Sequence, residues 1–270
     1  MTRQNLHAHT VYDDGRDTPR AMIEAALAAG FASAGLSLHS PLPFENEWAA
    51  KREDAGAFLR ELRALREEFA GRIGVYAGIE WDALSPRTFE GVDYVIGSVH
   101  HLCAGGEVYP VDKDAETLRA CVEQGFGGDA DEAARQYFAQ VGALADVAEV
   151  DIVGHFDLIT KFRERDPLFD EESAAYRGAA ADALSRVCAA GKIVEINTGA
   201  ISRGHRATPY PARRWLEALA RMGGRVTISS DAHSARDIAC AFERAERLAK
   251  DCGFKEIWIL EEKEFVPVGL

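Results

Sequence analysis

The sequence predicts an α/β protein built from repeated βα units, with a parallel sheet covered on both faces. Three observations predict it. Short apolar, β-rich runs alternate with longer amphipathic stretches along all 270 residues. The runs are near-continuously apolar rather than alternating, as strands buried on both faces must be. The stretches between them mostly close on glycine, the usual helix stop.

In chain order, residues 3–8 form the first strand. The stretch 18–30 is a helix with Thr18 as its cap, Pro19 in the first turn and Gly30 at its end. "SAGLSL" at 33–38 is a strand, 52–70 a helix, and "GVYAGIEW" at 74–81 and "DYVIGSV" at 93–99 are strands. The segment 102–128 is the longest irregular insertion, expected as a loop near the site. Then follow a helix over 129–147, the strand "VDIVGHF" at 150–156, and a helix over 171–190. The strand "KIVEINT" at 192–198 precedes a helix over 211–222, the strand "RVTISS" at 225–230 and a helix over 235–252. A terminal strand, "EIWIL", spans 256–260. This pattern suits an open doubly wound sheet and a closed βα barrel equally. No linker or low-complexity tract interrupts it, so 1–270 reads as a single domain.

Apolar residues make up 47% and charged residues 28%, a globular balance that argues against disorder. No apolar run reaches the eighteen or so residues of a membrane span, and the start "MTRQNLHAHT" lacks a signal-peptide core. The five cysteines are widely spaced and without a CxxC pair, which suits free thiols in a reducing cytoplasm. A net charge of −13 disfavours nucleic acid as a partner, since phosphate neutralisation by Lys and Arg dominates that affinity. Several of those acids have a second use as ligands for divalent cations. Oligomeric state is not legible.

The chemistry lies at the strand ends. In "RQNLHAHTVYDDG", His7 and His9 are two residues apart on a strand and point the same way, close to Asp13 and Asp14. Later strands end in His39, in Glu80 and Asp82, in His100 and His101, in His155 and Asp157, in Glu195 and Asn197, and in Asp231 and His233. Seven of the eight histidines therefore fall at C-terminal strand ends, where βα folds build their sites. One such histidine is more often a hydrogen-bonded buried side chain than a ligand. Seven at one face point to metal. Imidazole and carboxylate without thiolate suit Zn, Mn or Fe, and the ligands are too many for one tetrahedral ion, so two or three ions are expected. Adjacent divalent ions suit phosphate-ester hydrolysis, because they activate water and clamp the attacking and leaving oxygens. Spacing alone does not choose between Asp13 and Asp14, Glu80 and Asp82, or His100 and His101.

The motifs "HAHT…DDG", "GLSLHSPLPF", "GIEWD", "DYVIGSVHHL", "IVGHFDLITKF", "EINTGAISR" and "SSDAH" resemble, in order, the polymerase and histidinol phosphatase (PHP) family over about residues 5 to 260. They are most similar to its stand-alone histidinol-phosphate phosphatases. The resemblance implies a distorted (βα)7 barrel with a trinuclear metal site. It implies a phosphomonoesterase that converts L-histidinol phosphate to L-histidinol and phosphate. Matching positions place His7, His9, Glu80 and Asp231 on a first metal, Glu80, His100 and His155 on a second, and Asp14, His39 and His233 on a third. Asp231, Glu80 and His233 are the residues expected to act in catalysis, with Asp231 a candidate proton donor to the leaving alkoxide. One departure stands out: many relatives carry an acid two residues before the second-strand histidine, where this chain has Ser37, so the surroundings of His39 are expected to differ while His39 stays a ligand.

Phosphate oxygens not held by metal want Arg or Lys. Lys161 and Arg203 are the preferred pair, with Arg163, Asn197, His205 and Arg206 as further candidates on loops after the fifth and sixth strands. For the amino and imidazole half of the substrate the candidates are Glu45 or Asp157, and Phe44, Trp48 or Tyr210. A non-catalytic member of the same family is the alternative from another class, and it usually shows replaced ligands.

Overall fold

The computed structural model describes residues 2–270. Its elements in order are β1 (Gln4–Asn5), α1 (Pro19–Ala28), β2 (Ser33–His39), α2 (Arg52–Glu68), β3 (Gly74–Asp82), β4 (Tyr94–Ser98), β5 (His101–Ala104) and β6 (Glu107–Pro110). Next come α3 (Ala115–Ala120), α4 (Ala130–Ala143), β7 (Ile152–Val153), α5 (Ala174–Ala189), β8 (Ile193–Asn197), α6 (Gly199–Ser202), α7 (Arg213–Arg221), β9 (Arg225–Ser229), α8 (Phe242–Asp251), β10 (Glu256–Glu261) and β11 (Glu264–Gly269). Seven parallel strands pair in the order β1-β2-β3-β4-β7-β8-β9. The two ends of that sheet meet: Ala8 bridges Ala232, the His9 amide donates to the Ala232 carbonyl at 2.8 Å, and Asn5 Nδ2 donates to Ser230 Oγ at 2.6 Å. The sheet is therefore a distorted seven-stranded barrel rather than an open one.

The barrel interior explains its glycines. Leu6, Tyr94, Ile96, Ile152, Ile193 and Leu260 pack together inside it. The Tyr94 ring occupies space that only glycine leaves: a Cβ at Gly78 would lie 2.2 Å from that ring, and one at Gly35 2.4 Å from its hydroxyl. The hydroxyl donates to the Leu6 carbonyl, so this filled layer forms a rigid floor beneath the polar strand ends. A larger apolar core lies between the strands and the helices, with Met22, Leu62, Phe138, Leu184 and Leu216 all buried.

Three expectations need correction. The terminal strand exists but pairs antiparallel with β11 in a separate hairpin, outside the parallel sheet. It closes the N-terminal mouth of the barrel, where Gln4 exchanges hydrogen bonds of 2.8 and 2.7 Å with Leu260. The segment 102–128 is not irregular. It holds the β5–β6 hairpin, turning at Gly105 and Gly106 with φ of 62° and 88°, followed by α3. The helix expected over 235–252 is a short 3₁₀ turn over 235–237 and then α8, separated by Ala241 in the left-handed region at φ 55°.

Candidate active site

Glu80 is the centre of the site. Its place near the end of β3 is register-paired with His39 on β2, so both side chains emerge on one face. One carboxylate oxygen, Oε2, faces His7 Nε2 at 3.2 Å, His9 Nε2 at 3.4 Å and His39 Nδ1 at 2.9 Å. The other, Oε1, faces His100 Nε2 at 3.2 Å and His155 Nε2 at 2.8 Å. Asp231 Oδ1 lies 3.8 Å from His7 Nε2 and 3.5 Å from His9 Nε2. Asp14 Oδ1 lies 3.1 Å from His233 Nε2 and 3.5 Å from His39 Nε2. The nine residues read as ligands from the sequence thus converge at one rim. Eight of them fall into three overlapping groups able to hold ions, namely His7–His9–Glu80, Glu80–His100–His155, and His9–Asp14–His39–His233, with Asp231 beside the first. His9 joins the third group as well as the first.

These residues fit metal ions. His7 Nε2, His9 Nε2, His39 Nδ1 and Glu80 Oε2 are fully buried, crowd one another and carry no hydrogen bond. Buried polar atoms without partners are rare, and each is costly unless something satisfies it. Donor atoms about 2.1 Å from a tetrahedral ion lie about 3.4 Å apart, which is the spacing found here. The electrostatics agree. Burial opposes charge on His7, yet Glu195, Glu80 and Asp231 outweigh it and hold this imidazole up at about 10. Burial likewise opposes ionisation of Glu80, but His7, His39 and His100 hold its carboxyl well below the usual range. The acids demand positive charge at this spot, and a divalent cation meets that demand without protonating the ligands.

Around these candidate ligands lies a shell of carboxylates. Glu195 accepts from His7 Nδ1 at 2.7 Å, from the His155 amide at 2.9 Å and from Asn197 Nδ2 at 2.9 Å. That explains why the strand expected over 150–156 shrinks to Ile152–Val153: beyond it the His155 amide is satisfied by a carboxylate and not by a neighbouring strand. Asp82 Oδ2 contacts His100 Nδ1 at 3.1 Å and His101 Nδ1 at 3.3 Å. Asp13 holds His9 Nδ1 at 2.9 Å and accepts from the His39 amide at 3.0 Å. Such acids fix the ring orientation and raise ligand basicity. The three pairs left open by spacing are separated by geometry: Asp14, Glu80 and His100 face the centre, while Asp13 and Asp82 stand behind the rings and His101 packs against Trp48. Ser37 points down the barrel to the Leu6 carbonyl, so the support of His39 comes through Asp13 instead.

Asp231 follows β9 with φ 49°, a left-handed conformation that Asp tolerates better than most residues. It turns the carboxylate inward. Arg203 holds it there, donating to Asp231 Oδ2 and to its carbonyl at 2.8 Å each. A Cβ on Gly199 would come within 2.8 Å of Asp231 Oδ2, so only glycine permits this approach. Burial opposes the charge on Asp231, but Arg203 and His7 keep its carboxyl far below the usual range.

Above the candidate ligands opens a cleft of about 590 Å³. Of the residues expected to hold substrate, Lys161 and Arg203 line it. Lys161 Nζ is held by the Asp112 carbonyl at 2.6 Å and its carboxylate at 3.2 Å. The others are placed elsewhere. Arg163 pairs with Glu171 at 2.8 Å on the wall of a different, arginine-rich groove. Asn197 is fully buried and spends its amide on Glu195, Asp231 and the Gly199 amide. His205 packs edge-on against Phe162, and burial together with Lys161 and Arg203 lowers it to about 4, which leaves it neutral near pH 7. Arg206 is buried beside Asp157 and the Tyr210 ring, so none of these three reaches the cleft. Phe44, Glu45 and Trp48 do line it. Sequence reasoning missed the parts played by Glu195 and Asp112. The first shared a strand end with Asn197 and was passed over; the second lay in the segment read as a loop.

A βα barrel whose strand ends gather groups able to hold several ions, beneath a cleft that Lys161 and Arg203 line, has the form of a metal-dependent phosphoesterase. Residues 5–199 match the PHP domain model, and the chain belongs to that family. Asp231 and His233 lie beyond the matched span, on the strand end that closes the same barrel. A Deinococcus radiodurans protein named probable histidinol-phosphatase is 32% identical over 95% of this chain and 96% of its own length. The histidinol-phosphatase of Bacillus subtilis is 24% identical over 90% of this chain and 98% of its own. Among solved structures, a histidinol phosphate phosphatase from Lactococcus lactis, complexed with Zn, L-histidinol and phosphate, superposes with a TM-score of 0.76. It shares 21% identity, and the match covers 98% of this chain and 99% of that one.

Proposed function

We propose that this protein is a histidinol-phosphatase, hydrolysing L-histidinol phosphate to L-histidinol and phosphate and so serving histidine biosynthesis. The observation that carries the proposal is the sharing of Glu80 between ligand groups at the floor of a cleft walled by Lys161 and Arg203. The D. radiodurans relative supports the same substrate. We assign three ions, of the Zn, Mn or Fe class, to the three groups, with Asp231 completing the first.

When bound, such ions act as Lewis acids and lower the pKa of water at neutral pH. The chain's own residues do the rest. Glu80 fixes the spacing of the groups through its two oxygens. Arg203 and Lys161 neutralise phosphoryl oxygens, with Asp112 aiming the lysine. Asp231 is ionised in the resting protein, so its carboxylate is placed to relay a proton from the attacking water to the leaving alkoxide. His233 orients Asp14 and lies against the same edge of the cleft. Glu195, Asp82 and Asp13 keep His7, His100 and His9 in the ring orientation that presents Nε2 inward.

We read the chain as one domain acting on a small phosphate monoester, not on nucleic acid or membrane. Among the described residues no helix is long and apolar enough to cross a membrane. The five cysteines are free, which supports a reducing compartment, and we place the enzyme in the cytoplasm. Phosphate release from a panel of monoesters tests the substrate. L-histidinol phosphate should lead by about a hundredfold in kcat/KM, or about 2.7 kcal/mol of transition-state discrimination. Activity spread evenly over the panel would keep the site and discard the substrate.

A further inference from the structure

We infer that the arginine-rich groove beside α7 and α8 is a second binding site, for a small molecule carrying two or more linked phosphate groups. It shares no lining residue with the cleft above the candidate ligands, so the inference does not depend on which ester that cleft hydrolyses. The groove encloses about 630 Å³, within the roughly 300–1,000 Å³ usual for small-molecule sites. Five arginines line it, Arg163, Arg213, Arg214, Arg244 and Arg247, and Asp251 is the one acid among its lining residues. This concentration of positive charge sits in a chain whose net charge is −13.

The arginines form two sets. Arg163 pairs with Glu171 at 2.8 Å, Arg213 with Glu217 at 2.7 Å, and Arg214 with Glu172. None of these three acids lines the groove. Each takes only part of a guanidinium fork of five N–H donors, so it holds the side chain in place and leaves donors over. Arg244 and Arg247 are the second set. Among the described residues Arg244 makes no ion pair, and Arg247 reaches only Glu243, at 4.0 Å. The two stand one turn apart on α8, with about 5–6 Å between Cβ atoms. Guanidinium groups at that spacing suit neighbouring phosphates of one chain better than a single phosphate, and Arg takes phosphate through paired N–H donors. Arg213 Nη2 donates to the Asp251 carbonyl at 3.4 Å, which ties the start of α7 to the end of α8. Pro209, Pro211 and Leu248 supply an apolar wall on which the rest of such a molecule can pack. Arg213, Arg244 and Arg247 are exposed, so their attraction weakens as salt rises.

The test is calorimetric titration of the holoenzyme with the α,β-methylene analogue of ADP, which resists hydrolysis, beside AMP and tripolyphosphate. One analogue should bind per chain, at least about tenfold more tightly than AMP and less tightly as ionic strength rises. The double variant Arg244→Gln, Arg247→Gln should lose at least about tenfold of that affinity and keep the wild-type rate of phosphate release in the cleft. Lys161→Gln, which alters the cleft, should bind the analogue as the wild type does. The tripolyphosphate arm separates two sources of the same chemistry. Affinity below the analogue's assigns the site to a nucleotide, and affinity equal to it or above assigns it to the phosphate chain alone. Binding of the analogue weaker than about 1 mM, AMP bound equally well, or an affinity unchanged in the double variant overturns the inference. Loss of binding in Lys161→Gln places the nucleotide in the cleft and overturns it as well.

Discussion

Glu195→Gln probes the site without replacing a proposed ligand. The carboxylate takes three hydrogen bonds, from His7 Nδ1, the His155 amide and Asn197 Nδ2, at 2.7, 2.9 and 2.9 Å. An amide of the same shape has one oxygen and one NH2 group. With its oxygen toward His7, the NH2 faces two donors, and each buried donor left unsatisfied costs about 1–3 kcal/mol. With its NH2 toward His7, Nδ1 must become the acceptor and the ring proton moves to Nε2, the atom that faces the metal position. Either orientation weakens metal binding, by about 10–100-fold for a supporting group of this kind. The assay is phosphate release as a function of added Mn or Zn, beside a denaturant titration of the metal-free protein. The half-saturating metal concentration should rise by that factor, with turnover recovering at high metal, and stability should fall by about 2 kcal/mol or more. A variant with the wild-type metal dependence would refute the role given to Glu195.

Further outcomes follow from the same geometry. Gly199→Ala forces a methyl group against Asp231 and should cut kcat/KM by at least about tenfold; a far-ultraviolet circular dichroism spectrum matching wild type would show that the barrel survives. Asp14→Asn should remove one bound ion per chain by elemental analysis, whereas Asp13→Asn should retain the full number at weaker affinity. His205 has a folded pKa depressed to about 4 from 6.5. The unfolded chain therefore takes up its proton first, and stability falls as pH drops from about 6.5 to about 4. His205→Gln should flatten that part of a stability profile measured by denaturant midpoint on metal-free protein, and an unaltered slope would remove His205 as a contributor.

Most of the barrel was legible because strands buried on both faces leave a continuous apolar signature, and because imidazoles collected at their ends. What marks a ligand in this sequence is position at a C-terminal strand end, which all nine proposed ligand residues share or closely follow. Closure of the sheet was not legible: it depends on Asn5 meeting Ser230 and Ala8 meeting Ala232, contacts between residues over 220 positions apart. The β5–β6 hairpin was hidden inside "LCAGGEVYP", where two glycines read as loop but in fact supply the positive φ of a tight turn. Substrate loops were read least well. Lys161 and Arg163 are two residues apart after the same strand, yet the intervening turn sends one into the cleft and the other to Glu171. Loop spacing has no fixed period, so nothing in the sequence separates them.

The most direct test of the central claim is to strip the protein of metal and return Mn or Zn stepwise, following bound ions and phosphate release from L-histidinol phosphate together. The stripped protein should show no turnover, and activity should rise to a plateau as about three ions bind per chain. Turnover in the metal-free protein, or a full complement of ions without phosphate release, would contradict it.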